Sequence, residues 1–296
     1  MNPSAFRFVL LVAAGAGALT AFGQAAGAAG DWEFSGRYAH AARSDLDGAG
    51  AGAGIAVESY SAALRSSTAV GERTRVLYGL EWTRHDLSRR GETWLPGQLT
   101  ALSVPLAVSQ RASDRWSLLL SLSPRLAGAD ESLSAARFDL PVLALASYTA
   151  APDLTWSFGL RYGPRSDIAV LPIAGVVWRF APEWTFRVGW PESGVSWRAT
   201  EQLTVRAVAT VHGGDYRLAD DPRAVAGRVG PSLADTWLEY REIRVGLAVE
   251  YALNPRLSVR ADLGGVVNQR FEYADRDVTL DGGTPLYFGA AVTGRF

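Results

Sequence analysis

The sequence predicts an all-β fold: a closed antiparallel transmembrane β-barrel of about fourteen strands, with twelve as the alternative. Three observations carry it. Large apolar residues alternate with polar residues or glycine along nearly the whole chain, the period of strands with one greasy face and one polar face. No apolar run long enough for a membrane helix follows the N-terminus, so a helical bundle is excluded. Short polar turns alternate with longer connections, the layout of an outer-membrane barrel.

The first element is a secretory signal peptide over residues 1–28. Arg7 is its positive region and Phe8 to Ala18 its apolar core, too short to span a bilayer. Ala26-Gly27-Ala28 fits the small-x-small rule for cleavage, with Gly23 and Gly30 as alternative last residues. The barrel is then residues 29–296.

Strands follow in order. Trp116, Leu118, Leu120 and Leu122 alternate with serines, apart from Leu119. Leu154, Trp156, Phe158, Leu160 and Tyr162 alternate with Thr155, Ser157, Gly159 and Arg161. The same pattern recurs at Trp184–Trp190, Leu203–Val211, Val245–Tyr251 and Leu257–Leu263. Tight connections such as 112–115, 151–153, 181–183, 200–202 and 254–256 separate them, each polar or proline-containing. Longer connections are expected at Ala39–Gly54, Gly213–Ala234 and Gln269–Thr284. Six short turns, counted from Ala69–Glu72, give fourteen strands when both termini lie on one side. The hairpin around Pro191 is barely long enough to cross, hence the alternative of twelve.

Trp82, Trp116, Trp178, Trp184, Trp190, Trp237 and Tyr251 sit mostly at strand ends, as in the aromatic girdles of membrane barrels. The last strand, Leu286 to Phe296, alternates up to a terminal Phe. It resembles the strand by which the barrel assembly machinery recognises its clients, with Gly294 at the penultimate aromatic position. Closure is expected between this strand and Trp32–Tyr38, because lipid cannot satisfy an open edge.

Leu171-Pro172, Trp178-Arg179-Phe180-Ala181-Pro182-Glu183-Trp184, Pro191, Gly213-Gly214 and Tyr216, with the closing strand, resemble an uncharacterised family of outer-membrane barrels, domain of unknown function 6268. The resemblance is clearest between Leu171 and Leu253. It implies a porin-like fold and an outer-membrane location, and no substrate.

Composition narrows the function classes. The chain has 296 residues, with 29 basic against 30 acidic side chains and no Cys. Every basic side chain is Arg. The balanced charge removes the electrostatic case for nucleic acid. Without Cys there is no disulfide, thiol nucleophile, iron–sulfur cluster or acylated lipoprotein N-terminus. With the greasy face outward, Arg161, Arg179, Arg187, Arg198, Arg206, Arg244, Arg260 and Arg295 point into the lumen, as do Glu81, Glu242, Glu250 and Asp262. Arg179, Arg187, Arg198 and Arg206 lie on consecutive strands and predict a basic wall. Such a wall either favours anions in a pore or is neutralised by cross-strand carboxylates.

His40, His85 and His212 are the only histidines. His85-Asp86-Leu87-Ser88 reads as a strand end entering a charged loop, and His212 as a solvated strand top. Neither places a base beside a nucleophile, so no enzyme activity, metal or cofactor is expected. Asp45, Asp47, Asp220 and Asp221 lack the spacing of a calcium loop. The expected function is a porin-like channel for small polar or anionic solutes in the outer membrane of a Gram-negative bacterium, in contact with lipid and lipopolysaccharide. The alternatives are a plugged structural or surface-interaction barrel and a lipid-modifying enzyme.

Overall fold

The computed structural model describes residues 32–129, 136–165, 169–223 and 232–296. The signal peptide and its cleavage sites lie outside the described residues. The strands are β1 (Trp32–Asp47), β2 (Gly54–Val70), β3 (Thr74–Arg90), β4 (Gln98–Ser103 and Leu106–Arg111) and β5 (Trp116–Leu122 and Arg125–Ala129). They continue as β6 (Arg137–Asp139 and Val142–Ala151), β7 (Leu154–Tyr162), β8 (Val170–Ala181), β9 (Trp184–Val188) and β10 (Glu192–Arg198). The last are β11 (Leu203–Leu218), β12 (Thr236–Asn254), β13 (Leu257–Tyr273) and β14 (Val278–Gly282 and Leu286–Arg295). Successive strands pair antiparallel, and β14 closes on β1 from Glu33↔Arg295 to Ala41↔Tyr287. This is the fourteen-stranded barrel with the closure the sequence predicts. Trp32 and Phe296 exchange backbone hydrogen bonds of 2.8 and 2.9 Å at the turn end.

The lipid face follows the alternation. Leu118, Leu120, Phe158, Leu160, Val188, Val245, Leu247, Val259 and Leu263 are exposed. Each would gain roughly 1.5–3 kcal/mol from burial in a soluble protein, so their shared outward face identifies a membrane-spanning wall. Phe186 and Val205 are half-buried, flanked across the ladder by Trp178 and Val195, and by Trp197 and Val249. At the turn end Trp178, Phe180, Trp184 and Trp197 form a chain of ring contacts 5.4–6.2 Å apart. Together with Trp116 against Tyr148 at 4.9 Å, they make one aromatic girdle.

Two of the three long connections are largely strand, and the one after Gly213 begins as strand. β1 runs to Asp47, β11 to Leu218, and β13 and β14 take up most of 269–284. These strands continue past the lipid face. Beyond it the polarity of the two faces inverts, which is why period-2 reading ended them early. On β12 the outward Glu239 and Arg241 are charged, whereas the inward Leu238 and Tyr240 are apolar.

The loop end is therefore built differently from the turn end. The β9–β10 hairpin is only half as tall as its neighbours, so β11 loses its partner above Thr210. β11 crosses to β5 instead, where Arg217 pairs parallel with Gly128. Nine strand ends (β1–β5 and β11–β14) then close a smaller ring, and an odd ring of alternating strands needs one parallel pair. The bend is made at Gly213, whose φ is +127° and where a Cβ would stand 2.0 Å from the Tyr240 carbonyl oxygen. Breaks at Pro105, Pro124 and Pro141 let β4, β5 and β6 lean inward. Each proline carbonyl still accepts a neighbour's N–H, from Gly79, Val104 and Ser123 at 2.9–3.0 Å.

The small ring is filled. Ile55, Val57, Leu87, Leu99, Tyr216, Leu218, Leu238, Tyr240, Phe271, Tyr273 and Leu280 form one buried cluster, with Leu95 and Leu233 over its top. Asp221 holds the last of these loops. Burial opposes its charge, but the backbone N–H groups of Arg223 and Leu233 at 2.9 and 3.0 Å win and hold its carboxyl below the usual carboxylate range.

Two stability outcomes follow from this division. Leu160→Arg, on the lipid face, is expected to cost about 2–4 kcal/mol of stability in bilayers. Phe271→Ala, in the loop-end core, is expected to cost about 3–5 kcal/mol. Denaturant unfolding in lipid vesicles measures both, and a parent-like midpoint for either would refute the corresponding face assignment.

Candidate functional site

The wide turn-end half encloses a water-accessible vestibule of about 520 Å³. Inward parity on β1–β3 and β9–β14 supplies its lining. Arg37, Arg65, Arg187, Arg206, Arg244, Arg256, Arg260 and Arg295 border it, against four glutamates, Glu33, Glu81, Glu192 and Glu250. Part of this charge is paired. Arg206 meets Glu250 at 2.7 Å, Arg65 meets Glu81 at 2.6 Å, and Asp262 lies 3.3 Å from Arg37 and 3.4 Å from Arg260. Arg260 also stands 3.8 Å from Glu192. Arg187 has no carboxylate within ion-pair distance among the described residues.

The vestibule ceiling is a polar layer beneath the core. Glu242 accepts from Arg244, Tyr240 and, at 3.0 Å, Gln269. Arg244 lies over the Tyr287 ring at 5.2 Å and reaches Ser59 Oγ at 3.4 Å.

The expected basic wall is divided. Arg187 and Arg206 border the vestibule, whereas Arg179 and Arg198 are exposed at the turn-end rim. Arg198 donates its backbone N–H to Glu183, in a turn. Arg161 is buried in a separate place, above the β9–β10 tip and 5.7 Å from the Trp190 ring. Trp190 is thus not part of a girdle. Trp237 is also displaced from one, beneath Arg165 at 5.2 Å.

The histidines also differ from expectation. His85 is inside β3, 4% exposed, with its Nδ1 2.9 Å from Ser59 Oγ. His212 lies within β11 beside Thr210, at 3.0 Å. Both strands run on past the point where the sequence suggested loops, which turns these residues inward. A hydroxyl and an imidazole are therefore in contact at the ceiling. His85 Nε2 is buried with no hydrogen-bond partner among the described residues, so no third group orients the ring as a base requires. No group of three acidic, His or Cys side chains suited to a metal occurs among the described residues.

Sequence reading missed a second cluster beside the small ring. Asp215, on the outer face of β11, binds Arg125 of β5 at 3.0 Å, and Arg125 also holds Asp139 of β6 at 2.7 Å. All three are buried. The cluster ties β11 to β5 and β6 where β11 crosses. Above lies an outer cleft of about 750 Å³ lined by Arg137, Arg165, Arg217, Glu239 and Glu272, among others. Successive outward positions of β11 connect the parts: Val211 and Gly213 border the vestibule, Asp215 the cluster and Arg217 the cleft.

A family model described as Domain of unknown function (DUF6268) matches residues 74–280. The chain belongs to this family. The match begins well before the stretch from Leu171 that carried the resemblance. No curated protein matches the sequence. Among solved structures, a TodX deltaS2S3 mutant monoaromatic hydrocarbon channel is 10% identical, with 91% of each chain covered and a TM-score of 0.49. A Pseudomonas aeruginosa FadL homologue is 13% identical over 89% of this chain and 90% of its own, with a TM-score of 0.46. The NanC porin is 12% identical over 88% and 98%, with a TM-score of 0.39.

Arg125→Leu would leave Asp139 and Asp215 buried without their shared cation. A loss of about 3–5 kcal/mol is expected, measured by denaturant unfolding in detergent micelles. A stability unchanged from the parent would mean that the cluster is hydrated.

Proposed function

We propose that the protein is a porin-like channel in the outer membrane of a Gram-negative bacterium, passing small polar and preferentially anionic solutes. The observation that carries this reading is the arginine excess of the vestibule: eight arginines against its four glutamates and the two further carboxylates, Asp262 and Glu242, that pair with them. Unpaired arginines in a confined, low-dielectric mouth concentrate anions. The packed core closes the barrel axis at the loop end, so passage from the vestibule to the outer cleft requires the loop end to open. Residues 1–28 direct export, the strand ending at Phe296 is the assembly signal, and lipid and lipopolysaccharide contact the outer wall. We read the Ser59–His85 contact as structural and the barrel as non-enzymatic.

The loop-end core favours a second reading, a sealed barrel whose loops bind at the surface. Planar-bilayer recording separates the two. The parent is expected to conduct, with a reversal potential favouring chloride over potassium in a salt gradient. Arg187→Gln should reduce that preference several-fold, since it removes a vestibule cation that no carboxylate among the described residues neutralises. Unchanged selectivity would overturn the vestibule assignment, and absence of conductance would favour the sealed barrel.

A further inference from the structure

Three carboxylates share one cross-strand row at the loop end. Asp215 of β11 stands opposite Glu239 of β12, and Glu239 stands opposite Glu272 of β13. Directly opposed like charges destabilise a ladder unless cations lie among them. Arg125 serves Asp215 at 3.0 Å, and Arg241 serves Glu239. Glu272 has no cation within ion-pair distance among the described residues. Glu272 and Glu239 both line the outer cleft. Asp275 lies beside them there, its carboxylate met by the Thr236 hydroxyl at 3.1 Å.

The facing wall carries the opposite charge. It is built by β6 and β7, which pair with each other and not with β12 or β13. Arg137 opens β6 and Arg165 follows β7. Both are exposed, and neither has a carboxylate within ion-pair distance among the described residues. The third cation of the cleft, Arg217, is neutralised by Asp235 at 2.6 Å. Two rings complete the lining: Trp237 of β12, with Arg165 over its face at 5.2 Å, and Phe138, which is 59% exposed.

A simple anion satisfies the arginines and is repelled by the carboxylate row, and a simple cation does the reverse. A zwitterion satisfies both walls. Arg137 and Arg165 stand beyond ion-pair reach of the carboxylates, so the matching ligand carries its two charges further apart than the single α-carbon of a free amino acid allows. The cleft, about 750 Å³, is of the size that holds small ligands. We propose that it binds short peptides with free termini. The terminal ammonium sits between Glu239 and Glu272, the terminal carboxylate meets Arg137 and Arg165, and an apolar side chain lies against Trp237 and Phe138. The site is outside the vestibule and goes beyond the channel reading, because binding there requires no conductance.

Calorimetric titration of the purified barrel in detergent tests the site with the dipeptide alanyl-phenylalanine, its N-acetylated form, its C-terminal amide and free phenylalanine. The dipeptide should bind about tenfold or more tighter than any of the other three. Each blocked form leaves one wall without its counter-charge, and free phenylalanine does not span the two. Glu272→Gln should lower the dipeptide to the affinity of its acetylated form, and Arg137→Gln combined with Arg165→Gln to that of its amide. Gel migration as a folded barrel checks the variants, and the blocked forms test the same contacts on the parent alone. Equal affinity of the dipeptide and any of the other probes in the parent, no binding of the dipeptide, or parent-like dipeptide binding in either folded variant would overturn the proposal. A barrel that binds the dipeptide as expected but carries no current supports the site and overturns the channel reading alone.

Discussion

Everything at the loop end depends on one missing neighbour. Above Thr210, β11 has no β10 beside it, because the β9–β10 hairpin turns at half height. Backbone N–H and C=O groups left without partners near lipid cost several kcal/mol each. β11 bends across to β5 instead, and that displacement narrows the ring from fourteen strands to nine. A nine-strand ring is small enough for side chains to fill, as Phe271, Tyr240, Leu238 and Leu218 do. The same displacement turns the outer face of β11 towards β6–β8, so Asp215 is buried where an outward residue would otherwise meet solvent or lipid.

The sequence pays for this geometry in proline and glycine. Three prolines sit on three consecutive strands, and each keeps its carbonyl in the ladder while lacking a donor. The wall can thus lean without breaking. Gly213 is required on the opposite side because any Cβ there would collide with the Tyr240 carbonyl. The two bends bring β5 and β11 together as neighbours in the small ring.

Much of this was legible. The alternation of Phe158 and Leu160 with Gly159 and Arg161 gave strand and lipid face together, because lipid and water impose opposite demands on successive residues. The closing pair of β1 and β14 followed from the need to leave no edge. The loop end was less legible for a physical reason. The rule of apolar outside and polar inside holds only at lipid depth. Along β12 the apolar set moves from Val245, Leu247 and Val249 to Leu238 and Tyr240, a change of parity within one uninterrupted strand. That change was visible in the sequence and marks the membrane boundary. The Arg125–Asp139–Asp215 cluster had no such signal, since its members are 14 and 90 residues apart and meet only because β11 crosses.

The change of parity gives each long strand two solvents. At its turn end β12 obeys the rules of a bilayer protein, and at its loop end those of a water-soluble domain with a buried core. A single substitution therefore has no fixed meaning along the strand. Charge added at Leu247 meets hydrocarbon, whereas charge at Glu239 or Arg241 is already native. The two ends are also held by forces with different temperature and denaturant responses. The loop-end ring can accordingly loosen while the membrane wall stays closed, which would join the vestibule to the outside along the axis without dismantling the barrel.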